Sequence, residues 1–223
     1  MMVNLFSIFD PSTKFMLSFN WLSIVIFFFV LPLQMWVLPA RHKQLFISLL
    51  SYLFKEFSPL VKKGSFILIV TMSIFVFISV NNSMGLLPYV FTASSHPVFT
   101  LTLALSFWLG TFIYTWLNNT TNSLTHLIPV GTPYFLMPFM VLIETISSII
   151  RPGTLAVRLA ANMIAGHLLM VLLSSAFLFS PYSSLPLLYL AQALLSLLEM
   201  AVALIQAYVF SILLTLYSAE SMN

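Results

Sequence analysis

Polar positions are few along this chain and fall in clusters, so the apolar runs between them define its elements. Breaks at Pro, Gly and polar clusters divide it into six segments, with no internal repeat and no low-complexity linker, which reads as a single domain over residues 1–223. Phe15 to Leu38 is apolar for longer than the ~20 residues that cross a hydrocarbon core, and Pro32 is placed to kink it. From Arg41 to Lys62 the pattern changes. Gln44, Ser48, Ser51, Lys55, Ser58 and Lys62 step by four and three, while Leu45, Phe46, Leu49, Leu50, Leu53, Phe54 and Phe57 fill the remaining positions. One polar stripe on an apolar helix predicts a helix lying in the membrane interface. Gly64 to Val80 continues through Asn81-Asn82-Ser83, Gly85 and Pro88, giving a second span over 64–90, and Pro97 to Leu117 is a third that contains no charge. Asn118 to Gly131 is polar and punctuated, hence expected as a loop. Two long apolar stretches remain, Pro133 to Phe179 and Leu185 to Ser218. Even the shorter, as a helix of about 51 Å, exceeds a core of about 30 Å, so both are expected to tilt strongly or to lie partly along the membrane. The fold class that follows is an all-α integral membrane protein of about six helices.

Composition agrees with that reading. Of 223 residues, 61% are hydrophobic and 6% charged, with a mean hydropathy of +1.07, where soluble domains carry about 25% charged residues. The membrane lipid is therefore one expected partner. Five of the eight bases, Arg41, Lys43, Lys55, Lys62 and Lys63, fall within one short stretch. Beside a hydrophobic span, such a cluster places its segment on the matrix or cytoplasmic side. Read instead as a nucleic-acid patch, it lacks a soluble domain to hold it, and no nucleic-acid partner is expected. The absence of cysteine removes disulfides and thiolate metal sites. The N-terminus lacks a basic n-region, and the first apolar stretch is too long for a signal-peptide core and has no small-residue cleavage site after it, so the chain is expected to keep its N-terminus.

Nearly all ionisable residues within the apolar stretches belong to the two long ones: Glu144, Arg151, Arg158, His167 and Glu199. A charge in hydrocarbon costs at least ~2.5–3.5 kcal/mol on insertion scales, so such residues mark an ion or substrate path by default. A structural role competes with that reading. Glu144, Arg151 and Arg158 recur every seven residues, close to one helical stripe, so Glu144 with Arg151 is a plausible structural pair. Glu144 with Arg158 is a weak one, at about 21 Å along a helix. Glu199 has no base within four positions. His167 lies nine residues past Arg158 and so faces away from it, where Glu199 on the other stretch offers it a partner. Asn162 shares the Arg158 face and Gln206 the Glu199 face. Ala156 and Ala160, with Ala203, Ala207 and Ser211, form small-residue seams that let helices approach closely.

The segments "RLAANMIAGHLL" (Arg158 to Leu169), "LLEMAVALIQAYVFSILLTLY" (Leu197 to Tyr217), "IPVGTPYFLMPFMVLIETIS" (Ile128 to Ser147) and "NSMGLLPY" (Asn82 to Tyr89) resemble the subunit a family of F-type ATP synthases in its animal mitochondrial form. The likeness extends over nearly the whole chain. It implies a multi-pass protein of the mitochondrial inner membrane, a proton-conducting stator subunit that presents two offset half-channels to a rotating ring of c proteolipids. Partners implied are that c-ring, the peripheral stalk and other membrane-sector subunits. By the resemblance, Arg158 faces the essential carboxylate of the ring, with Asn162 and Gln206 as polar neighbours. His167 and Glu199 match the half-channel open to the intermembrane space, and Glu144 the one toward the matrix. Ala161 stands where the family pattern has Thr, and Arg151 has no counterpart in it.

The implied mechanism suits these residue types. A proton arriving by Glu199 and His167 neutralises a ring carboxylate, which then turns through lipid and discharges toward Glu144. Arginine does not shed its proton, so Arg158 attracts only the ionised carboxylate and blocks a direct hop between the half-channels. ATP formation itself is expected elsewhere, since the chain has no Gly-rich phosphate loop and no Walker lysine; no catalytic residue, cofactor or metal is assigned. Two other classes compete. A proton-coupled secondary transporter places its ionisable residues between two repeats, and no second half resembles the first. An intramembrane hydrolase needs a nucleophile with a base, and no Gly-x-Ser-x-Gly is present.

Overall fold

A computed structural model describes residues 5–13, 17–25, 28–29, 38–61, 65–118, 120–128, 132–177 and 179–222. Among these the chain is helical and has no strand. The α-helices are α1 (Arg41–Phe57), α2 (Ser65–Gly85), α3 (Pro97–Asn118), α4 (Thr120–His126), α5 (Met137–Ala176) and α6 (Leu185–Met222). Short 3-10 segments stand at Leu5–Phe9, Phe19–Val25, Ser58–Leu60, Ala93–Ser95 and Tyr182–Ser184. Half of the expected first span, 15–38, including Pro32, lies outside the described residues, as do Lys62 and Lys63, and its described part includes the Phe19–Val25 3-10 segment.

Four helices are long and apolar enough to cross a membrane: α2, α3, α5 and α6. At 40 and 38 residues, α5 and α6 measure about 60 and 57 Å, roughly twice a hydrocarbon core. Pro138 stands in the first turn of α5, where its missing N–H costs nothing, and the helix runs on through Pro152. Without water to serve them, side-chain hydroxyls in these helices turn back on their own backbone. Thr71 donates to the Leu68 carbonyl, Ser79 to Val76 and Thr215 to Ile212.

In lipid the hydrophobic effect does not drive helices together, so close packing of small side chains must hold the bundle. The small-residue seams supply it: Ala156, Ala160, Ala203, Ala207 and Ser211 are all buried. α6 packs most extensively on α2 and α5 on α3, and the four helices share a core around Ile78, Ala104, Leu159, Phe210 and Leu214.

α1 divides its surface in three. Phe46, Leu50, Leu53 and Phe57 turn toward the protein, Leu45, Leu49, Tyr52 and Phe54 are exposed apolar positions, and Gln44, Ser48, Ser51 and Lys55 form the polar stripe. It is tied to α6, because Tyr208 Oη donates to Glu56 Oε2 over 3.1 Å and Phe57 stacks on the Tyr208 ring. Glu56 also pushes the Tyr52 phenol above its usual range, by hydrogen bonding first and then by charge.

The corner between α2 and α3 folds back on the bundle. A β-carbon at Gly85 would stand 2.9 Å from Thr92 Cγ2, so any other residue here would force the Thr92 side chain to shift. Tyr89 takes a left-handed backbone, φ 68°, at the tip. Ser95 Oγ then donates to the Thr92 carbonyl (2.7 Å) and accepts from Thr92 Oγ1 (3.2 Å), closing the Ala93–Ser95 turn against α2, α3 and α5.

One expectation fails. The stretch Asn118 to Gly131, expected as a loop, contains helix α4. A two-turn surface helix needs no apolar stripe, so polar composition does not separate it from a loop.

Candidate functional site

The two long helices carry every site residue expected from the sequence. Gly85, the Ala93–Ser95 turn, the C-terminal half of α5 and the start of α6 lie at the end of the bundle opposite the basic α1. Glu144, Arg151 and Tyr217 lie at the α1 end.

At the α1 end, Arg151 Nη2 donates to Glu144 Oε1 over 3.3 Å, and the guanidinium sits 5.2 Å from the centre of the Tyr217 ring on α6. Glu144 thus has the structural partner that its seven-residue spacing allowed. The pair is partly open, with side chains 32% (Arg151) and 41% (Glu144) exposed.

At the opposite end Glu199 is 8% exposed, and neither carboxylate oxygen has a hydrogen-bond partner among the described residues. Its wall is the backbone of α5. A β-carbon at Gly166 would fall 2.9 Å from Oε1. His167 follows directly, its Nε2 buried and also without a partner, its ring edge-on to Phe9 with centres 6.3 Å apart. The expected direct pairing of His167 with Glu199 is therefore not made. Adjacent residues on a helix point about 100° apart, so Gly166 facing Glu199 turns His167 aside.

Arg158 lies between the two ends, about 21 Å from Glu144 and about 13 Å short of His167 along the axis. It is exposed and has no ion pair among the described residues. Its neighbours on that face are Val157, Ala161, Ala165 and Leu169, all exposed, with Asn162 half-buried at the edge. On α6, Leu190, Leu194, Leu197, Ala201 and Leu204 form a similar exposed stripe, and Gln206 is half-buried. One permanent cation thus stands on an otherwise apolar outer face, between two separate groups of ionisable residues.

Two contributors escaped the sequence reading. Gly166 was signalled only by being a glycine in mid-helix, which weakens a helix by about 0.5–1 kcal/mol relative to Ala and so marks a close approach. Asn82 is fully buried and donates from Nδ2 to the Ala203 carbonyl, one turn after Glu199, at 3.4 Å. The polar break Asn81-Asn82-Ser83 held its signal.

Known proteins resemble this chain along nearly its whole length. The family described as "ATP synthase A chain" matches residues 15–219. The chain is 52% identical to ATP synthase subunit a of Locusta migratoria, 51% to that of Drosophila melanogaster and 50% to that of Anopheles gambiae, in each case over 99% of both chains. On a match that runs through every helix described above, this chain belongs to the ATP synthase subunit a family.

Proposed function

We propose that Arg158, Glu199, His167, Glu144, Asn162 and Gln206 conduct and gate the proton flow by which this multi-pass protein of the mitochondrial inner membrane drives ATP synthesis. The observation that carries the assignment is the separation just described: buried, unpaired Glu199 beside His167 at one end, Glu144 at the other, and an exposed Arg158 between them. A continuous channel would short-circuit the membrane potential. Two half-channels that meet only through a moving carboxylate do not.

The Arg158 face takes the c-ring. Its small and apolar side chains let a ring helix approach closely, and among the described residues the guanidinium presents the only charge on it. A ring carboxylate protonated from the Glu199 and His167 side is neutral and leaves the arginine for lipid. Returning on the far side, it loses its proton toward Glu144 and is held again. Asn162 and Gln206, at the edges of the face, supply polar partners during the exchange. Each charge crossing 100 mV delivers about 2.3 kcal/mol, so several are needed for each ATP. The chain itself is a non-catalytic subunit, and the peripheral stalk holds it against the turning ring. A free-standing proton-coupled transporter is not favoured by relatives that bear the name ATP synthase subunit a along their whole length.

The assignment is tested by Glu199→Gln and His167→Ala in the assembled complex. Both are expected to slow proton-driven ATP synthesis several-fold while assembly is retained. Full rates in both variants would remove the inlet from this end of the bundle.

A further inference from the structure

Among the described residues, the buried side-chain polar atoms without a hydrogen-bond partner are not scattered. They are Ser23 Oγ, Asn82 Oδ1, Ser94 Oγ, His96 Nε2, His167 Nε2, both Glu199 oxygens and, apart from these, Thr132 Oγ1. All but Thr132 belong to elements that touch in succession. The Phe19–Val25 segment packs on the Ala93–Ser95 turn, which packs on α2 and α5; α2 carries Asn82 against α6, and α5 meets Glu199 at Gly166. A buried polar group is ordinarily bonded, to protein or to water, and a water inside a protein needs two to four such partners. Isolated orphans would each stand alone. Orphans on elements that touch one another can share water, which needs partners of that kind.

Resting on the inlet reading of Glu199 and His167, we propose that the inlet continues outward through a water-holding pocket whose outer wall is Ser94 and His96. Two features fix these residues in that role. Thr92 and Ser95 satisfy one another in closing the turn, so the Ser94 hydroxyl, with the residue 1% exposed, is not used by the turn itself. The His96 ring is held between Trp21, at 5.1 Å, and Phe91, stacked at 5.2 Å, so its Nε2 stays directed into the protein. Nearer the centre, Phe9 lies edge-on against His167. Hydroxyl and imidazole each both donate and accept, so a proton passes along hydrogen-bonded water with no covalent change in either side chain.

The test uses the cysteine-free sequence of this chain. In Ser94→Cys, a near-isosteric change, the new thiol is the only one in the subunit, and Ag+ applied to the intermembrane side of vesicles carrying the assembled complex reads whether water reaches it. Proton-driven ATP synthesis is expected to fall several-fold from its own Ag+-free rate at a dose that spares the unsubstituted complex. Sensitivity no greater than that of the unsubstituted complex overturns the proposal. Independently, His96→Phe fills the pocket with an apolar ring and is expected to slow synthesis several-fold, whereas His96→Gln, which keeps a donor and an acceptor, recovers most of the rate. Equal rates in both variants, normal or impaired, overturn it too, because a purely packing role would not favour Gln. Glu199→Gln run in parallel separates the two levels. A slow Glu199→Gln with normal Ser94→Cys and His96→Phe removes the outer wall alone, while a normal Glu199→Gln removes the inlet and this proposal with it.

Discussion

Glu199 rests directly on the backbone of Gly166, where an added β-carbon would stand 2.9 Å from Oε1 and 3.0 Å from Cδ. The carboxylate is thereby set against α5 next to His167, about 80° around the helix from Arg158. Gly166→Ala displaces it. The clash is with a side chain and not with a helix backbone, so assembly is expected to survive, but proton-driven synthesis is expected to fall several-fold. An assembled Gly166→Ala complex working at the parent rate would show that the position of the carboxylate does not matter.

Arg151 differs from Arg158 in having partners. Its bond to Glu144 joins two partly exposed side chains, and such pairs contribute at most about 1 kcal/mol. Arg151→Gln is expected to leave most of the coupled activity, since Glu144 remains in place to receive protons. Loss of all proton transport in an assembled Arg151→Gln complex would give Arg151 a part in the path itself.

The tie between α1 and α6 is testable away from the proton path. Tyr208→Phe keeps the stack on Phe57 and loses the hydrogen bond to Glu56, a loss of about 0.5–1.5 kcal/mol. Limited trypsin cleavage at the exposed Lys55 is expected to run about two- to tenfold faster, with coupled synthesis little changed. An unchanged cleavage rate would mean that α1 is held by its apolar face alone.

Much of this was legible in the residues. The uncharged run from Pro97 to Leu117 left little choice but a span, and the polar stripe of α1 showed through because its serines and lysines keep helical spacing. Arg158, Glu199 and His167 stood out because charge in hydrocarbon is costly. Contacts between segments were another matter. Nothing local distinguishes Ser94 from Ser95, though one closes a turn and the other is left with a buried, unpaired hydroxyl. Gly166 and Glu199 lie on different helices, and the sequence alone does not set their register. The pairing of His167 with Glu199 failed for that reason, since a neighbour one residue earlier takes the facing position.

The most direct measurement is made on Arg158→Ala, with proton flux through reconstituted membrane sectors recorded beside ATP synthesis by the intact complex. With the one permanent cation of the ring-facing surface removed, a ring carboxylate exchanges protons with both half-channels, so a passive leak is expected together with the loss of coupled synthesis. Arg158→Lys keeps a charge without the planar two-pronged donor and is expected to recover part of the coupling at most. Normal synthesis without leak in an assembled Arg158→Ala complex would contradict the separation of the half-channels by this arginine.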